Sequence, residues 1–133
     1  MKNVLLIDDD HGFNFLNSRL LKKLNIIDNI HVCSSGVSAL RRLEELYQQN
    51  GEVPDLVLLD IRMPIMDGFA FLKALETLPS GIRDRVKVAM LTSSVNDEDF
   101  TRSFQFPQVV DYIEKPLDPG KFFRTLKKAE EMG

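Results

Sequence analysis

Two kinds of apolar segment alternate along the chain. Residues 4–7 (VLLI), 55–59 (DLVLL), 86–91 (VKVAML) and 109–113 (VVDYI) are short, nearly continuous and rich in branched side chains. Runs of this kind suit strands covered on both faces, as in a parallel sheet. Residues 30–33 (IHVC) form a fifth, more polar run, which predicts an edge strand. Between the runs the apolar residues recur at three- and four-residue steps. Phe13, Leu16, Leu20, Leu21 and Leu24 do so, as do Val37, Leu40, Leu43, Leu46 and Tyr47. The same period continues in Phe69, Leu72 and Leu75, and in Phe122, Phe123 and Leu126, and it predicts amphipathic helices. Turn-forming residues separate the segments: Ser35-Gly36, Asn50-Gly51 with Pro54, Pro79-Ser80-Gly81 and Pro119-Gly120. Asp67 is placed to cap the helix that begins near Phe69. The pattern is strand then helix, about five times over: an α/β chain whose parallel strands need right-handed crossovers with helices on both faces.

At 133 residues there is room for one domain, and a single domain over 1–133 with no output domain is expected. Hydrophobic residues make up 44% and charged residues 28%, which excludes a disordered or collagen-like chain. The lone Cys33 has no internal partner for a disulfide, which fits a reducing compartment. Seventeen basic against twenty acidic side chains give a net charge of −3, with no basic stripe for a phosphate backbone, so no direct nucleic-acid contact is expected. The apolar run at 4–7 is too short for a signal peptide or a membrane span, and a cytoplasmic protein is expected.

In an open parallel sheet, chemistry gathers beyond the carboxyl ends of the strands. The first run ends in Asp8-Asp9-Asp10, the third in Asp60, the fourth in Thr92-Ser93-Ser94 and the fifth in Glu114-Lys115-Pro116. Singly, each has an ordinary explanation: a helix cap for one Asp or for Thr92, a solvated surface residue for Lys115. Jointly, they set three acids against one cation at one sheet edge. Crowded carboxylates must protonate, separate or bind a metal, and an all-oxygen set suits Mg2+. A hydroxyl and an ammonium beside such an ion can receive phosphoryl oxygens, which suggests phosphoryl transfer onto a carboxylate. There is no Gly-rich phosphate loop followed by Lys-Ser or Lys-Thr, and no Cys/His cluster with zinc spacing.

These residues resemble the receiver domains of bacterial two-component response regulators. The likeness covers essentially the whole chain and rests on 6–10 (LIDDD), 58–68 (LLDIRMPIMDG), 90–93 (MLTS) and 112–116 (YIEKP), in that order. It implies a flavodoxin-like, doubly wound (βα)5 three-layer sandwich with strand order 2-1-3-4-5. Asp60 would be the phosphoacceptor, charged by the phosphohistidine of a sensor kinase or histidine phosphotransfer protein. Asp9, Asp60 and the backbone carbonyl of Arg62 would ligate Mg2+, and Asp8 would act through a metal-bound water. Thr92 and Lys115 would complete the catalytic set, with a cis Lys115–Pro116 bond. Asp10 is left as a surface or capping residue. Thr92 and Tyr112 would form a switch acting on the fourth helix, fifth strand and fifth helix, a face that includes Phe100, Phe104, Phe106 and Ile113. That face would regulate a downstream protein target or support a homodimer. Such a domain is not an enzyme on external substrates; it catalyses only its own phosphorylation and dephosphorylation.

The resemblance implies that Arg62 and Ser94 occupy positions that vary among these domains and tune dephosphorylation; Arg62 either pairs with a carboxylate near the mouth of the site or is simply solvated. The stretches 44–54 and 77–85 are longer than usual for the family and are expected at the opposite end of the sheet. The rival reading is a haloacid-dehalogenase-type phosphohydrolase with Asp8 as nucleophile and Asp10, Thr92 and Lys115 as helpers. It assigns no role to residues 60–64 (DIRMP).

Overall fold

Strands β1 (Asn3–Ile7), β2 (Asn29–Cys33), β3 (Leu56–Asp60), β4 (Lys87–Thr92) and β5 (Val109–Glu114) form one parallel sheet in the order β2-β1-β3-β4-β5. This computed structural model describes residues 3–132; Met1, Lys2 and Gly133, the ends of the expected 1–133 domain, lie outside the described residues. Helices α1 (His11–Leu24), α2 (Gly36–Asn50), α3 (Gly68–Glu76), α4 (Ser80–Arg83), α5 (Asp97–Ser103) and α6 (Pro119–Met132) complete the flavodoxin-like α/β fold. The order matches the expectation, and β2 lies at an edge. The sixth helix does not: α4 is a single turn within the long stretch 77–85. It starts after Pro79, whose fixed φ suits a helix start. The face expected to comprise the fourth helix, fifth strand and fifth helix is therefore α5, β5 and α6. Among the described residues, no helix is long and apolar enough to cross a membrane.

The near-continuous runs are explained by burial on both sides. Leu5, Ile7, Val57, Leu59, Val88 and Met90 face one cluster, with Ala39 and Leu43 of α2 and Phe69, Phe71, Leu72 and Leu75 of α3. Their neighbours Val4, Leu6, Leu56, Leu58, Ala89 and Leu91 face the other, with Leu21 of α1 and Phe122, Leu126 and Ala129 of α6. Alternation is present, but both phases are apolar, so it is invisible in the sequence. Not every periodic position points inward: Leu16, Val37 and Phe123 are exposed.

Strand β5 carries a bulge that the run at 109–113 does not betray. Val88 pairs with Val109 but Ala89 pairs with Asp111, which leaves Val110 as the extra residue. Val110 and Asp111 then both lie toward α6, where Asp111 accepts from Thr125 Oγ1 at 2.6 Å and from Lys128 Nζ at 2.9 Å. The bulge also pairs Tyr112 with Met90 and brings it against the first cluster.

Of the two described non-glycine residues with positive φ, Asn25 and Ile65, the β-branched isoleucine is the strained one. Ile65 has φ +68° and is fully exposed, in the connection between β3 and α3. A β-branched residue in the left-handed region costs about 1–2 kcal/mol, and asparagine there costs less. Ile65→Asn is therefore expected to stabilise the fold by about 0.5–1 kcal/mol, read as a higher urea midpoint at unchanged m. A lower midpoint would mean that contacts of the isoleucine outweigh the strain.

Candidate functional site

Four strand ends meet at one edge of the sheet. Ile7 of β1 pairs with Leu59 of β3, Asp60 with Leu91 of β4, and Thr92 with Glu114 of β5, so the residues just beyond them fall together. Local turns hold this edge in place. Asp10 caps α1, its Oδ1 accepting from the Phe13 N–H at 3.1 Å. Asp67 caps α3, as the sequence predicts, and Ser35 of the Ser35-Gly36 turn caps α2. Gly68 lets α3 start hard against the end of β3, because an added Cβ would sit 2.8 Å from the Asp60 carbonyl oxygen. Thr92 is not a helix cap: it ends β4, and Asn96 caps α5.

Lys115 is the pivot. Its side chain is only 7% exposed, which excludes the surface reading. Its Nζ lies 2.8 Å from Asp8 Oδ2 and 3.2 Å from Asp60 Oδ1, and 4.3 Å above the centre of the Phe13 ring. The Lys115 N–H donates to the Thr92 carbonyl at 2.8 Å, and the Lys115–Pro116 bond is cis. Burial opposes the ammonium charge, but the hydrogen bond to Asp8 and the charges of Asp60 and Asp8 outweigh it, so its pKa is raised.

Asp60 sits on the other side of this balance. Burial first, and the Asp8 charge second, push its carboxyl up to about 6, although Lys115 pulls in the opposite direction. Asp8 and Asp60 are buried and Asp9 is exposed. Asp8 accepts the Asp10 N–H on Oδ1 and the Lys115 ammonium on Oδ2, so both its oxygens already have partners. The buried Thr92 hydroxyl accepts from the Ser94 N–H at 3.0 Å. Tyr112 is half-buried and receives the Asn96 N–H on its hydroxyl at 3.4 Å.

The residues fit a hard divalent cation. Asp8, Asp9 and Asp60 each bring a carboxylate oxygen to within 4.8 Å of the others, an all-oxygen donor set of net charge −3 against one ammonium. A carboxylate whose charged form is disfavoured by burial and by a neighbouring acid is one that a cation would relieve.

The structure brings Asp8, Asp9, Asp60, Thr92 and Lys115 to one edge of the sheet, and of the two expectations for Arg62 it shows the carboxylate pair. The partner is Asp99, in the first turn of α5. Nothing in the sequence singled out Asp99 or Asn96, since an acidic first turn is ordinary helix chemistry. Of the four residues assigned to the signalling face, Phe100 and Phe104 are exposed, Phe106 packs against the core and Ile113 is buried. In the phosphohydrolase reading Asp10 is needed as a second acid, but its carboxylate is the α1 cap.

Comparison with known proteins places this geometry in context. The family model for the response regulator receiver domain matches residues 4–127. A solved two-component response regulator from Cytophaga hutchinsonii superposes with a TM-score of 0.91 at 28% identity, over 98% of both chains. The probable methanogenesis regulatory protein FilR2 of Methanothrix harundinacea is 30% identical over 129 residues, 96% of this chain and 81% of its own length. The transcriptional regulatory protein ZraR of Escherichia coli is 32% identical over 127 residues, but the chain spans only 26% of that relative.

Proposed function

The chain belongs to the response regulator receiver domain family of two-component systems, and we propose that it is a phosphorylation-dependent switch with Asp60 as the acceptor. The observation that carries this reading is the Lys115 ammonium held between Asp8 and Asp60 at the edge where Thr92 also ends its strand. The donor would be a phosphohistidine on a sensor histidine kinase or histidine phosphotransfer protein. In the transfer an Asp60 oxygen forms a bond to phosphorus as the nitrogen–phosphorus bond of the donor breaks. The imidazole leaves with the electron pair and takes a proton from solvent.

The residues divide the work by charge. Lys115, already ion-paired with Asp60, would neutralise one phosphoryl oxygen, and the Thr92 hydroxyl would donate to another after releasing Ser94. Asp9, Asp60 and the Arg62 carbonyl would hold Mg2+, with Asp8 reaching it through a water. Bound there, Mg2+ would supply the positive charge that three clustered carboxylates and a phosphoryl group lack. The partner protein's approach is supported by the outer face of α1, where Phe15 and Leu16 are exposed beside His11, Arg19 and Lys22. The output surface would be α5, β5 and α6, where exposed Phe100, Phe104 and Phe123 offer contacts to a target protein or a second copy. Catalysis would extend only to the domain's own phosphorylation and dephosphorylation.

Incubation with Mg2+ and acetyl phosphate, followed by intact mass and mapping of the modified residue, tests the assignment. One phosphoryl group on Asp60 is expected, and modification at Asp8 would favour the phosphohydrolase instead. Asp9→Ala is expected to weaken Mg2+ binding on the order of 10–100-fold by calorimetry, because a carboxylate ligand is removed from a site with few of them. Unchanged affinity would place the ion elsewhere.

A further inference from the structure

The fully buried residues of α5 are polar, and ring contacts of Phe100 and Arg102 add to their hold on the rest of the domain. The seven residues of the helix bury only Asp99 and Ser103, while Phe100 and Phe104 remain 50% and 42% exposed. Surface helices are ordinarily anchored by an apolar stripe, and α5 has little of one. Instead, the Arg62 guanidinium pairs with the buried Asp99 carboxylate. The Asn96 side chain donates to the same Asp99 oxygen at 3.0 Å and accepts the Asp99 N–H at 2.8 Å. The Asn96 N–H in turn donates to the Tyr112 hydroxyl, and Phe100 meets the Tyr112 ring edge-on with centroids 5.5 Å apart. Arg102, one turn along α5, lies 4.1 Å from the centre of the Phe69 ring of α3. A continuous chain of contacts therefore runs from residue 62, two positions past Asp60, through Asp99 and Asn96 to Tyr112.

The ion pair is asymmetric. The Asp99 side chain is 8% exposed and the Arg62 side chain 59% exposed. A guanidinium open to solvent can be drawn to a new anion, and Asp99 is then left buried without its cation, which loosens whatever it was holding. Elements with little apolar burial are the ones that open locally at low free energy.

We propose that the Arg62–Asp99 pair is a latch that holds α5 and the Tyr112 hydroxyl in the resting arrangement, and that drawing Arg62 away is how charge arriving at the acceptor loop reaches the α5–β5 surface. The identity of that charge rests on Asp60 being the phosphoacceptor; the latch itself is present in the resting protein. Arg62 and Asp99 are positioning residues in this scheme, acting through Asn96. The route does not pass through Thr92, so it adds to the hydroxyl–aromatic switch rather than restating it.

The test uses the whole chain carrying Tyr47→Phe, which leaves Tyr112 as the sole tyrosine in a protein without tryptophan. Arg62→Gln, Asp99→Asn and the double variant are compared by amide hydrogen exchange and by Tyr112 fluorescence, with no phosphodonor present. In Arg62→Gln the α5 amides are expected to exchange about tenfold faster or more, while α1 and α2 are unchanged, and the Tyr112 signal shifts. The double variant should lie closer to the parent than Arg62→Gln does, because the uncompensated carboxylate is gone. Unchanged α5 exchange and Tyr112 signal would overturn the latch, and so would an equal loosening of every helix. If acetyl phosphate fails to modify Asp60 in the parent protein, the acceptor assignment falls while the resting-state result on α5 still stands or falls by itself.

Discussion

Asp60→Asn is expected to abolish phosphoryl uptake and, in the same protein, to make the metal-free fold more stable at neutral pH. The two effects have one cause. Asp60 is buried beside Asp8, and burial together with that neighbouring charge lifts its carboxyl from 3.8 to about 6. A folded-state pKa above the unfolded value means that the native protein holds more protons between those two values. Its stability therefore falls as pH rises from about 4 through about 6, and the full penalty is present at pH 7. A shift of this size corresponds to about 3 kcal/mol at most, and relaxation around the site reduces it to roughly 1–3 kcal/mol. Asparagine keeps the shape and removes the charge. Urea midpoints without Mg2+ between pH 4.5 and 7.5 should fall with pH in the parent and stay nearly flat in the variant, which should be the more stable at pH 7. Parallel curves would show that Asp60 carries no electrostatic strain. Retained labelling at the native site would require another nucleophile.

Lys115→Met is expected to act in the opposite direction. Among the described residues the ammonium is the one cation paired with both Asp8 and Asp60, and its side chain is buried like theirs. Removing one member of such a set leaves uncompensated charge in a low-dielectric site, which costs about 3–5 kcal/mol. Against a typical total of about 5–15 kcal/mol, this is a large loss. It should be greatest at pH 7 without metal and smaller near pH 5, where Asp60 is protonated and the surviving charge is less. Mg2+ should restore part of it by replacing the missing positive charge. Phosphoryl uptake from acetyl phosphate should drop about 10²–10³-fold, the usual effect of deleting a donor aimed at developing charge. Asp8→Asn added to Lys115→Met should recover stability but not uptake. A urea midpoint equal to the parent's at pH 7 would mean that the ammonium is not what balances these acids.

Much of this was legible along the chain because parallel-sheet folding writes its plan locally. Runs covered on both faces read as unbroken apolar segments, and caps such as Ser35 and Asp67 sit where turn chemistry requires them. The end-of-strand rule then gathers Asp8, Asp9, Asp60, Thr92 and Lys115 without any knowledge of contacts. Where the reading failed, the missing information was not local. Leu16 keeps helical period yet is exposed, because period defines a stripe but not which part of the stripe finds a partner. The α4 turn does not register in the pattern because four residues carry too little periodicity. The β5 bulge was hidden because an inserted residue changes the register of pairing, not the apolar character of the run.

The order of elements, the placement of acids and lysine at strand ends, and the choice of a covered parallel sheet follow from the amino-acid sequence alone, since propensity, period and turn chemistry act over a few residues. Only the folded molecule decides which acid is buried, that Lys115 meets Asp8 across 107 residues and that Arg62 meets Asp99 across 37. Pairing between distant groups depends on how the strands are ordered and how far each connection extends, and desolvation depends on everything packed around a group. Neither quantity exists until the chain has closed on itself.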